Sequence, residues 1–64
     1  MRIKLYAVNQ VTSEQAFERE CHLEEFFSEL GETECYRLNM EIKDSGRAWI
    51  GGGAAQLFLA MAVR

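Results

Sequence analysis

Residues 12–31, TSEQAFERECHLEEFFSELG, constrain the folding of this chain more than any other stretch. Ala16, Leu23, Phe27 and Leu30 recur at helical spacing, Phe26 and Phe17 flank them, and the opposite side is acidic. An apolar stripe of that width predicts an amphipathic helix. Both ends carry matching signals. Thr12 and Gln15 have the spacing of a capping box, in which a hydroxyl and an amide each satisfy an orphan backbone group. Gly31 suits the left-handed residue that closes a helix. Such a helix must bury its stripe against a surface that the rest of the chain supplies.

The flanking segments read as strands. In residues 1–9, Ile3, Leu5 and Ala7 alternate with Arg2, Lys4, Tyr6 and Val8, the pattern of a half-buried strand. In residues 33–43, Tyr36, Leu38, Met40 and Ile42 alternate with Cys35, Arg37, Asn39, Glu41 and Lys43, which predicts a second strand. Asp44, Ser45 and Gly46 then form a three-residue hairpin loop, with Gly46 at positive φ. That register points Ile50 inward and Trp49 outward, whereas a two-residue turn would reverse them. Gly51, Gly52 and Gly53 end the third strand as a turn. They lack the Lys-Ser/Thr of a phosphate loop and the spacing of a dinucleotide fingerprint. Residues 54–64 fit a last strand with Leu57, Leu59, Met61 and Val63 on one face, and a C-terminal helix packed in a dimer is the alternative. The fold class expected is α+β in the order β-α-β-β-β, with one amphipathic helix on one face of a small, mostly antiparallel sheet.

With 64 residues the chain is a single domain near the lower size limit for a fold without disulfides or metal, so a homodimer that hides more surface is expected. Cys21 and Cys35 are too few for a disulfide framework and point to a reducing compartment. Neither a signal sequence nor an apolar run long enough to span a bilayer is evident, so a cytoplasmic protein that does not engage membrane is expected. The charge is unevenly spread. Residues 14–34 hold eight glutamates against Arg19, a charge of −7, while the remainder holds six cations against Glu41 and Asp44, a charge of +4. Such polarity steers charged partners.

Catalytic chemistry is hard to assemble from these residues. On a helix, His22 would meet Glu18 and Glu25, a pair of carboxylates around an imidazole, but a structural metal site wants four ligands. The two cysteines fall on opposite sides of the expected sandwich, and neither has a base arranged for nucleophilic attack. No enzyme activity, metal or cofactor is expected.

Two surfaces are left. The first is the acidic helix face of Glu14, Glu18, Glu24, Glu25 and Glu29, in which like charges four apart cost stability. It suits a protein-binding module or inhibitor that presents the face to a basic patch, one that otherwise holds nucleic acid. Short products without catalytic residues are typical of phage and mobile-element accessory genes, anti-CRISPR and other anti-defence proteins included. The second surface is the outer sheet face, with Tyr6, Arg37, Arg47, Trp49 and Phe58, joined by Arg2, Lys4, Lys43 and Arg64. Aromatics among cations on a sheet can stack single-stranded nucleic acid. The same face also suits a dimer interface anchored by Trp49 and Phe58, and its apolar character at Phe58, Ala60 and Ala62 favours that reading.

Overall fold

The computed structural model describes residues 1–63; Arg64, expected on the sheet face, lies outside the described residues. The chain is an α+β domain in which one helix packs on a four-stranded antiparallel sheet. Its elements are β1 (Arg2–Val8), β2 (Gln15–His22), a single 3₁₀ turn (Leu23–Phe26), α1 (Glu32–Ser45), β3 (Arg47–Ile50) and β4 (Leu57–Ala62). The strands lie in the order β2-β1-β4-β3. The helix is therefore the third quarter of the chain, and the stretch expected to be helical is an edge strand followed by a turn.

This exchange has a local cause. Asn9 Oδ1 accepts from the N–H groups of Val11 and Thr12, at 2.9 and 3.1 Å, and Thr12 Oγ1 accepts from Glu14 N–H at 3.3 Å. Hydroxyl and amide side chains cap helices and close turns by the same bonds. Here they close the β1–β2 hairpin, with Ser13 in the left-handed region at φ 66°. Gly31 opens α1 as its N-cap and does not close the preceding segment. Gly46 has the positive φ expected of it, 79°, but as the left-handed cap of α1, and its N–H donates to Ile42 O. No hairpin joins 33–43 to β3.

In α1, Leu38 and Ile42 are buried, while Tyr36 and Met40 are exposed at 69% and 43%. Acidic Glu32 and Glu34 occupy the first turn and Lys43 the last, which complements the helix dipole. The core joins Ile3 and Leu5 of β1, Leu23, Leu38 and Ile42, Ala48 and Ile50 of β3, and Ala60 of β4. Phe26, Phe27 and Leu30 are half-buried and pack against it, so most of the expected stripe still faces the core even though it is not a helix. Ala16, its first member, is exposed.

The face of β4 is the reverse of expectation. Ala48 pairs with Ala60, and Phe58, Ala60 and Ala62 point to the helix. Ala48 and Ala60 share the core with Leu38 and Ile42 of α1, and Leu57, Leu59 and Met61 take the other face. Among the described residues no helix is long and apolar enough to cross a membrane.

The glycine loop is bound in place. Gln10 Nε2 donates to Gly53 O and Ala55 O, both at 3.1 Å, and Gln10 Oε1 accepts from Gly53 N–H at 3.0 Å. Gln56 Nε2 donates to Val8 O at 3.0 Å. Gly51, Gly52 and Gly53 all have positive φ, at 83°, 109° and 62°. Three such residues in succession explain why the run is glycine.

Candidate functional site

The sheet has one covered face and one open face. On the open face, register places Phe17, Tyr6, Leu59 and Trp49 in one row across all four strands. The Tyr6 and Phe17 rings meet edge to face, with centroids 5.7 Å apart. Leu59, between Tyr6 and Trp49, is only 3% exposed, so the middle of the row is already dry. Phe17 and Trp49, at its two ends, are 56% and 45% exposed. The next row is Glu20, Lys4, Met61 and Arg47. Arg2 also faces this side and forms an ion pair with Glu20.

Of the five residues expected on this face, Tyr6, Arg47 and Trp49 are there. Trp49 faces outward by pairing with Leu59, and not through the expected hairpin with residues 33–43. Phe58 is not on it: it packs against the core beneath α1. Arg37 is not on it either, because it belongs to α1. Phe17, which no helical reading could place on a sheet, takes the position opposite Trp49. The register shift at Glu18 puts Phe17 on the face opposite to Arg19 and Cys21, so alternation along the sequence could not have found it.

Arg37 has a structural task. Its guanidinium donates to Glu34 Oε2 and Glu41 Oε1, both at 2.8 Å, and to Trp49 O at 3.1 Å. These bonds, to Glu34 first and then Glu41, hold its pKa above the ordinary arginine value, and the same contact holds the Glu34 carboxyl below the usual range. The result ties α1 to β3. Arg37→Ala is expected to cost about 1 kcal/mol, since the side chain is partly exposed and the ion pairs are screened. It should read as a lower urea midpoint with an unchanged slope.

The acidic residues form a margin rather than a helix face. Glu14 precedes β2, and Glu18 sits where the β1–β2 register shifts. Glu24 and Glu25 lie in the 3₁₀ turn, with Glu29 just beyond it. All five are exposed. Glu24 pairs with the N-terminal ammonium, which lowers its pKa, and Glu25 Oε2 accepts from His22 N–H at 3.0 Å. Among the described residues Glu14, Glu18, Glu25 and Glu29 make no ion pair.

The helical spacing that would gather Glu18, His22 and Glu25 does not exist on a strand, and among the described residues no three His, Cys, Asp or Glu side chains are placed to hold a metal. A depression of about 300 Å³ does open at this end of β2, lined by Arg2, Arg19, Glu20, Cys21, His22 and Glu25. Burial pushes the Cys21 thiol pKa up, more than Arg19 pulls it down. Cys21 packs against the core and Cys35 lies on α1, so both are on the helix side of the sheet; both are free.

Compared with protein-family models, curated proteins and solved structures, the chain has no significant match. Its surfaces therefore have to be read from their own chemistry.

Proposed function

We propose that this protein is a non-enzymatic protein-binding module that presents the acidic margin of Glu14, Glu18, Glu24, Glu25 and Glu29 to a basic patch on another protein, and that it inhibits by covering that patch. The observation that carries this reading is where the unpaired carboxylates lie. Charges on an edge strand have a protective role, because they discourage pairing with a foreign sheet. That accounts for Glu18. It does not account for Glu25 and Glu29, which lie past the strand and make no ion pair among the described residues, beside Glu24, which the N-terminal ammonium holds. Glu34 and Glu41 of α1 differ, since both are held by Arg37. A surface that normally holds nucleic acid is the kind of basic patch this rim complements. A groove of that kind on a host defence enzyme would make the module an anti-defence protein.

A nucleic-acid platform on the open sheet face is the weaker reading. With Arg37 on the helix and Arg2 bound to Glu20, its free cations among the described residues reduce to Lys4 and Arg47. Phosphate contacts supply most such affinity, and two cations supply little.

The test is capture from nuclease-treated lysate on immobilised protein, eluted in salt steps. Wild type is expected to retain a discrete protein that leaves at moderate salt. The variant carrying Glu18→Gln, Glu24→Gln, Glu25→Gln and Glu29→Gln is expected to bind it roughly tenfold more weakly or worse, at ~0.3–1 kcal/mol per exposed charge. Equal retention by both would refute the margin as the contact surface.

A further inference from the structure

We propose that the open sheet face is covered by a second copy of this chain, packed face to face about a twofold axis that runs parallel to the strands between β1 and β4. This surface is separate from the acidic margin, so either proposal can fail without the other.

The argument starts from the need to cover the face. Both α1 and the 3₁₀ turn contribute to the core on the other side, leaving Phe17, Trp49 and Met61 exposed here at 56%, 45% and 38%. Three large apolar side chains around a dry centre, with charges outside them, have the anatomy of an interface core and rim.

The choice of a second copy follows from symmetry. A twofold axis along the strands exchanges β2 with β3 and β1 with β4, given the order β2-β1-β4-β3. Each row on the face must then match its own reverse. In the aromatic row, Phe17 meets Trp49 of the second copy, and Tyr6 meets its Leu59. In the charged row, Glu20 meets Arg47 of the second copy, and Lys4 meets its Met61. Opposite charges therefore stand at the two ends of one row, and the twofold brings them together twice. No like charges are opposed in either row. Aligned sheets cross at about 30°, which displaces the row ends by roughly 3–4 Å, about one residue and within reach of Glu and Arg side chains. Single-stranded nucleic acid as the occupant would find only Lys4 and Arg47 free among the described cations of this face, because Arg2 is held by Glu20.

The experiment is sedimentation velocity on the full chain over a micromolar-to-millimolar range, with wild type, Glu20→Arg, Arg47→Glu and an equimolar mixture of the two variants. Both residues are exposed, and circular dichroism verifies that each variant keeps the fold, Glu20→Arg having lost its ion pair with Arg2. Wild type should sediment as a dimer. Each variant alone places like charges opposite each other twice and should dimerise at least tenfold more weakly. In the mixture every such contact becomes a Glu–Arg pair, and dimer should return to the wild-type level. A wild type that stays monomeric throughout would overturn the proposal. So would variants as dimeric as wild type, or a mixture no more dimeric than its components.

Discussion

Leu38→Ala is expected to remove a large share of the stability of the fold. Leu38 is fully buried, at the point where α1 meets Ile3, Leu5, Ala48 and Ala60. Truncating a leucine in such a site costs ~2–5 kcal/mol, because the lost transfer energy adds to the cavity left behind. A domain of 64 residues has only ~3–10 kcal/mol to lose. Thermal melts followed by circular dichroism would show either a large drop in midpoint or no cooperative transition. Tyr36→Ala and Met40→Ala supply the contrast. An extended 33–43 would put them in the same core as Leu38, whereas the helix leaves them exposed. Each should change stability by no more than ~0.5 kcal/mol. Losses at 36 and 40 as large as at 38 would contradict the helix.

Gly51→Ala should be the second severe substitution, and for a backbone reason. Gly51 has φ 83°, and a Cβ there would meet the Gln56 carbonyl oxygen well inside contact distance. The left-handed conformation alone costs an alanine ~1–2 kcal/mol. Relieving the collision must also move the 51–56 loop, which disturbs the Gln10 and Gln56 bonds and the β3–β4 connection. A total above ~3 kcal/mol is expected, on the scale of a strained backbone site plus lost hydrogen bonds. Gly53→Ala separates the two causes. Its φ is 62°, yet a Cβ there would meet nothing within 4 Å, so only the conformational cost of ~1–2 kcal/mol remains. Equal, small losses at both positions in urea titrations would show that the loop is loosely held.

The fold class was legible from amino acids alone, while the helix was placed in the wrong segment. The ambiguity is physical. Leu38 and Ile42 stand four apart, a spacing that both a strand and a helix put on one face. Gly46 needs a positive φ whether it turns a hairpin or ends a helix, so it could not decide between them. Glu34, Arg37 and Glu41, spaced three and four, were the available sign of a helix, and their ion pairs form. In β4 both faces are apolar. Size alone sends Leu57, Leu59 and Met61 inward, but Ala60 and Ala62 are the residues on the core side. Phe58 went inward with them. The open face kept Tyr6, Arg47 and Trp49 because β1 alternates cleanly and because β3 ends at a glycine run on either reading. The glutamates stayed exposed under either assignment, since a charged residue seeks water on a strand edge as much as on a helix.

The strand order also bears on how the chain can assemble as it is made. β4 lies between β1 and β3, although it is the last of the four to be synthesised. Until residues 57–62 have emerged, β1 has only its hairpin partner β2, and β3 has no strand to pair with. A two-stranded ribbon is marginal in water, and so is a helix of 14 residues without its sheet. Each nascent intermediate therefore exposes Ile3, Leu5 and the underside of α1 until the final strand inserts. The closing step joins distant parts of the chain, which makes folding slower than a helix-rich domain of this length would show.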